Sequence, residues 1–574
     1  MFRTRLSLAR PIVIAGALSA ALGVGGAPGG QLAGSLGMQA ARAAAAPALV
    51  AASHELAPVS PRIPAKIDCS AVPALPGLVT IPGYPTAISS ATIVPAAGTN
   101  PAYCDVKGII APQTQFELEL PVSTWQGRYL QNGCGGYCGV VQPQAFPSCD
   151  AILGGDFAMA TDNEGHVGTS AFDGTWAFND ELLRLEYGYL SEHALAVVAK
   201  TIIKGYYGAA PAYSYYDGCS DGGREAMEVA QRYPGDFNGI VAGAPEIIAA
   251  PLNAELQTWN YRVNTDASGS AILTAAKLPA LHGAVIAACG GDDGTPDGII
   301  TDPRNCHFDP VSIQCAAGAD TPSCLTPAQV QVVREIYRGP ADPRGRRLYP
   351  GGLPYGSELA WAGFVVPFSP SQRGAVYLLS QAYLRYQMLP VGELGPDPAQ
   401  WAFTDDRFHQ LFPVGNVYDA MDTDLRAFRA RGGKLIMWQG WADQAIPPFG
   451  TIDYYDIMTQ RMGGLDAAQR FARLFMIPTV NHCGGGNVLT SFDFVLPIVN
   501  WVESNTAPAQ VTASQTGRDG SVTLSRPVYP YPLVATYNGS GPPDQASSFH
   551  AVVSANAGSF TAWIGDYLFR EPDK

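Results

Sequence analysis

Residues 217–223 read Asp-Gly-Cys-Ser-Asp-Gly-Gly, and the setting of Ser220 between Gly218 and Gly222 decides how the rest of the chain is read. The residues before it, Ala212-Tyr-Ser-Tyr-Tyr216, read as a strand. Those after it, Arg224 to Tyr233, read as a helix stopped by Pro234. A serine at a strand-to-helix junction sits on a sharp turn that lifts its hydroxyl above the sheet. Glycines two residues away on either side are needed there, because side chains would collide with the neighbouring strand and helix.

Working outward, Gln115-Phe-Glu-Leu-Glu-Leu120 alternates with period two, and Arg128 to Gln131 follows as a short strand. Phe157 to Thr161, Gly239 to Gly243, Gly433 to Trp438 and Phe471 to Ile477 read as buried strands. Asp180 to Lys204 reads as a helix with Leu182, Leu185 and Tyr189 on one face. Strands alternating with helices predict an α/β fold around a mainly parallel sheet covered on both faces. The rhythm breaks over residues 247–431, too long a stretch for an ordinary loop. We expect a lid domain there, and a catalytic domain formed by 46–246 together with 432–574.

A serine hydroxyl attacks only when a base takes its proton. On a turn of this type the acid and then the base follow the serine in the chain. Trp438-Gln-Gly-Trp-Ala-Asp443 offers a strand and then Asp443 on a glycine-containing loop. Beyond Asp443 only His482 and His550 remain. His482 follows the strand ending at Val480 and precedes the flexible Cys483-Gly-Gly-Gly486, whereas His550 occupies an ordinary strand position. We take Ser220, Asp443 and His482 as nucleophile, acid and base. Cys219 lies directly before the serine and Cys483 directly after the histidine. If the two side chains meet, these cysteines fall within the roughly 5–6 Å between Cα atoms that a disulfide prefers.

Tyr216 to Glu225, with the downstream Tyr233-Pro-Gly-Asp-Phe-Asn-Gly-Ile-Val-Ala-Gly-Ala-Pro245, resembles the tannase and feruloyl esterase family. So do Ala160-Thr-Asp-Asn-Glu-Gly-His166 with Trp176, Gly440 to Asp443 with Ile446-Pro-Pro448, and Asn481 to Gly486. The resemblance runs from about Cys69 into the C-terminal region. It implies a secreted α/β-hydrolase fold with a large inserted lid, the same catalytic trio, and aromatic acyl esters as substrates, of gallate, hydroxycinnamate or benzoate/terephthalate type.

One oxyanion donor is expected at the backbone N–H of Asp221, and another in the Gly-rich loop 132–139, at Gly135 or Gly136. Asp292, Asp293 and Asp297 crowd one glycine-bearing loop, and carboxylates so close repel unless a hard cation such as Ca²⁺ joins them. The resemblance implies structural calcium on Asp293, Asp297 and the carbonyls of Thr295 and Ile299. It departs at Gly290, where the family carries aspartate, and Asp292 is the substitute considered. Pairs Cys289–Cys306, Cys315–Cys324, Cys69–Cys104 and Cys138–Cys149 are expected. Gln439, where the family often has histidine, and Ile446, where an aromatic clamp is possible, are taken as substrate contacts.

The first 45 residues resemble an export signal: Arg3, Arg5 and Arg10, an apolar run from about Pro11 to Val24, then small residues to Ala43. The run is short of the about 20 residues of a membrane span. Removing this segment takes four arginines and no acids, leaving 31 basic against 49 acidic residues. That charge disfavours a nucleic acid partner. The 11 cysteines suit a secreted or periplasmic protein. We expect no membrane association in the mature form, and a monomer or homodimer. A peptidase or another esterase on this fold, or an inactive calcium-stabilised binding protein, are the alternative readings.

Overall fold

The computed structural model describes residues 61–98, 100–141 and 155–570. The expected export signal and Cys149 lie outside them. A nine-stranded sheet runs β1-β2-β3-β5-β4-β6-β7-β8-β9. Its strands are β1 (Thr86–Val94), β2 (Tyr103–Ile110), β3 (Thr114–Pro121), β4 (Arg128–Asn132), β5 (Phe157–Asp162), β6 (Tyr213–Cys219), β7 (Gly239–Gly243), β8 (Lys434–Gly440) and β9 (Ala472–Ile477). Pairing is antiparallel from β1 through β3 to β5, and parallel across β5, β4, β6, β7, β8 and β9.

The parallel strands are buried along almost their whole length because both faces are covered, and β7, β8 and β9 are the most apolar of them. Alternation divides their side chains between two cores. Ile240, Ala242, Leu435, Met437 and Leu474 face one side, with Leu195, Ile202 and Met227. Val241, Ile436, Trp438 and Phe475 face the other, with Val495, Ile498 and Val499. Helices α1 (Ser191–Tyr207) and α2 (Asp221–Arg232) supply the first set, and α5 (Val495–Ser504) the second. The helical run before α1 has one π-turn, Glu186–Leu190. Its extra residue per turn changes which side chains face inward. Leu183 and Tyr187 are buried, and Leu182, expected on the inner face, is 43% exposed.

Between β7 and β8 the chain makes a long excursion. Part of it builds a core of its own, in which Leu281 and Val285 of α3 (Leu278–Cys289) meet Val333, Ile336 and Trp361, while Leu252, Tyr383, Leu411 and Phe428 join the first core of the sheet. It returns to β8, passes through α4 (Pro448–Arg461) to β9, and ends after two hairpins, β10 (Val511–Thr516) with β11 (Val522–Val528) and β12 (Leu533–Tyr537) with β13 (Phe549–Val553).

Disulfides join Cys69–Cys104, Cys134–Cys138, Cys219–Cys483, Cys289–Cys306 and Cys315–Cys324. Cys138 therefore pairs with Cys134 and not with Cys149. The reason is local: Gly136 and Cys138 take positive φ of 66° and 48°, turning the Gly-rich loop back until the two Cα atoms lie 5.8 Å apart.

Candidate active site

Ser220 stands between the end of β6 and the start of α2 with φ 70° and ψ −121°, a backbone conformation that L-residues seldom adopt. The turn is held because the Ser220 N–H donates to Gly243 O (3.0 Å) and its carbonyl accepts from Arg224 N (3.1 Å) and Glu246 N (3.2 Å). The glycines are sterically required. A Cβ on Gly218 would lie 2.2 Å from Gly222 O, and one on Gly222 would lie 2.8 Å from Cys134 O.

His482 reaches this turn from the loop after β9. Its Nε2 lies 2.8 Å from Ser220 Oγ, and its Nδ1 lies 3.0 Å from Asp443 Oδ2. Asp443 follows β8 and is fully buried. Its Oδ1 accepts from the N–H groups of Ala445 (2.8 Å) and Ile446 (2.9 Å). Its Oδ2 also accepts from Gln439 Nε2 (2.8 Å). With Nδ1–H directed to this carboxylate, Nε2 is left to accept the serine proton. The base segment is tied covalently to the serine turn by Cys219–Cys483, whose Cα atoms are 5.7 Å apart. Gln444 Oε1 accepts from the His482 N–H (3.2 Å).

Gln439 and Ile446 are both buried. The Gln439 amide is committed to Asp443, to Ile446 O (3.0 Å) and to the Thr451 hydroxyl (3.0 Å). The structure thus turns Gln439 toward the acid. His550 lies in β13, bonded to Asn538 (2.7 Å) and exposed.

The Gly-rich loop abuts the start of α2: Gly222 N–H donates to Cys134 O (2.8 Å) and Gly133 N–H to Asp217 O (3.1 Å). The N–H groups of Asp221, Gly135 and Gly136 donate to no acceptor among the described residues. The Asp221 side chain points away, bonded to Arg224 Nε (2.6 Å) and the Tyr187 hydroxyl (3.1 Å). Tyr137 of the same loop donates to Leu379 O of the excursion (2.9 Å).

Behind the serine lies a set of buried acids that sequence reasoning missed. Glu164 pairs with Arg224, Glu225 with the Tyr216 hydroxyl, and Glu192 with Gln131 and Tyr216. Burial pushes the Glu164, Glu192 and Glu225 carboxyls well above the usual range and Asp162 up to about 7. The signal lay inside quoted motifs, at Glu164 and at Arg224-Glu225, but charge in sequence does not announce burial.

Two groups bear on metal binding. Cys134, Cys138, Glu164, Asp221 and Glu225 bring one potential ligand atom each within 4.8 Å of one another, a buried cluster close enough to hold a metal. There the cysteine sulfurs are bonded to each other and Arg224 already answers Glu164 and Asp221. In the loop 289–306, Asp293 and Asp297 face the Arg526 guanidinium. Asp292, the substitute ligand considered, accepts instead from Thr301 N (2.7 Å) and Asp302 N (3.1 Å). These residues do not fit the family's calcium set.

A buried carboxylate, an imidazole and a strained serine in one hydrogen-bonded line, at the ends of parallel strands, are the parts of an acyl-transferring hydrolase. Comparison with known proteins gives the class and the family. The sequence pattern of tannase and feruloyl esterase matches residues 98–552, and the chain belongs to that family. It is 33% identical to an uncharacterized esterase of Xanthomonas campestris, over 82% of this chain and 89% of that protein. It is 31% identical to the mono(2-hydroxyethyl) terephthalate hydrolase of Piscinibacter sakaiensis, over 79% and 85% respectively. Feruloyl esterase B from Aspergillus oryzae superimposes with a TM-score of 0.70 at 26% identity, covering 81% of this chain and 97% of that one. The protein is a carboxylic ester hydrolase with an α/β fold.

Proposed function

We propose that the protein hydrolyses esters of aromatic acids through an acyl-enzyme on Ser220. The observation that carries this reading is the line Ser220 Oγ–His482–Asp443, with links of 2.8 and 3.0 Å. His482 Nε2 takes the Ser220 proton as Oγ adds to the ester carbonyl. The oxyanion that forms is bound by the Asp221 N–H and by Gly135 or Gly136. Asp443 orients the imidazole and stabilises its charged form. His482 then returns the proton to the departing alcohol. Water, deprotonated by the same nitrogen, cleaves the acyl-enzyme and regenerates Ser220.

The relatives named for feruloyl and terephthalate esters support aromatic acyl groups as substrates. The excursion 247–431 acts as the lid over Ser220, a reading supported by the core that its middle part builds for itself and by the Tyr137–Leu379 bond to the oxyanion loop. Export is supported by five disulfides among the described residues. No described helix is long and apolar enough to cross a membrane. The test is an assay of wild type and Ser220→Ala on methyl gallate, methyl ferulate and a terephthalate monoester. Hydrolysis of at least one by wild type and by wild type alone is expected. Equal turnover by both proteins would end the proposal.

A further inference from the structure

The loop closed by Cys289–Cys306 has the aspartate spacing of a cation site, yet three features of this chain turn it to another use. First, Gly290 stands where a ligand carboxylate is expected, and the backbone leaves no room for one. A Cβ there would lie 2.8 Å from Ile286 O and 2.9 Å from the Gly298 Cα. Second, Asp292, the substitute ligand, is engaged by the N–H groups of Thr301 and Asp302, one on each carboxylate oxygen. The Ile299 carbonyl also accepts from Gly291 N (2.8 Å). Third, Arg526 arrives from β11, 2% exposed, and places its guanidinium against the two remaining carboxylates. Nη2 bonds Asp297 Oδ2, and Nε lies 3.5 Å from Asp293 Oδ2.

Arg526 is itself fixed in place. Its Nη1 donates to Ser525 O (2.9 Å), and its guanidinium lies over the Phe549 ring of β13, 4.1 Å from the centroid. Tyr537 N of β12 donates to Asp293 O (2.9 Å) in the same region. Buried carboxylates that would repel one another need a positive charge. A guanidinium supplies it with directional N–H donors and, unlike a metal ion, does not dissociate.

The structure assigns to Arg526 the place of the family's structural calcium. The loop of the excursion is held to the C-terminal hairpins by a cation carried on the chain, and the fold is independent of Ca²⁺. This assignment does not rest on the reading of Ser220.

Thermal melting of the full-length mature protein tests it, in EDTA and in millimolar CaCl₂, with calorimetric titration of Ca²⁺ into the EDTA-treated, desalted protein. Wild type is expected to melt within about 1 °C in the two buffers and to give no binding heat, because a ligand that does not bind the native state cannot stabilise it. Arg526→Gln is expected to melt lower in EDTA by on the order of 5 °C, since it leaves buried Asp293 and partly buried Asp297 side by side with no cation between them. A rise of several degrees for wild type in Ca²⁺, stoichiometric Ca²⁺ binding, or an Arg526→Gln melt equal to wild type in EDTA would each overturn the assignment. If Arg526→Gln does not fold, the wild-type titration alone decides.

Discussion

Cys219 and Cys483 are bonded across 264 residues of sequence, one directly before Ser220 and the other directly after His482. The covalent link therefore spans the same gap as the 2.8 Å contact between His482 Nε2 and Ser220 Oγ. Cutting it frees the base segment to drift, and loss of near-attack geometry costs rate before it costs binding. The double change Cys219→Ala/Cys483→Ala should lower kcat by about 100-fold with little change in KM. Steady-state kinetics on a preferred ester checks this, and an unchanged kcat would show that the contact stands without the bridge.

On the proposed mechanism, removing the nucleophile or the base should be far more damaging. Ser220→Ala and His482→Ala should each lose roughly 10⁴-fold or more in kcat, and the two combined should cost little beyond either alone, because they act as one unit. Additive losses in the double variant would contradict a shared step.

Gln439 gives a test between two roles. Its amide donates to the Asp443 oxygen that also receives His482 Nδ1. As a positioning residue its replacement by leucine should reduce kcat about tenfold, the scale of one hydrogen bond to a charged group, and leave KM near wild type. A substrate contact would instead raise KM with kcat preserved.

Stability should fall as pH rises. Burial lifts the carboxyls of Glu246, Glu255 and Asp419 to about 8. In the unfolded chain they titrate at about 4, so the folded state holds more protons between these values. Their contribution is full below about pH 4 and is lost as pH climbs to about 8. Melting temperature should therefore decline from pH 6 to pH 9, as scanning calorimetry can record. Glu255→Gln, which keeps an acceptor for Trp401 Nε1 (3.2 Å), should flatten that slope.

Much of this was legible in the residues. The glycines around Ser220 specify the turn because backbone atoms of Gly222 and Cys134 occupy the space a side chain would need. The alternation of strands and helices specifies the parallel sheet, and chain order picks His482 over His550. What sequence could not give depends on distant packing. Arg526 lies 229 residues from Asp297 and has no local mark of its role. Gln439, taken from sequence as a substrate contact, shows its bond to Asp443 only when the fold encloses the two together. Leu182 points outward because one π-turn shifts the helical phase, and Cys138 finds Cys134 because positive φ at Gly136 and at Cys138 folds the loop on itself.

The long reach of the bridge beside Ser220 also governs how the enzyme is made. At typical synthesis rates the thiol of Cys219 emerges roughly ten seconds to a minute before its partner. During that wait Cys69, Cys104, Cys134 and Cys138 are already at hand, so oxidation that is too quick traps wrong pairs. A host that supplies disulfide exchange should yield more active enzyme per molecule than one that merely oxidises.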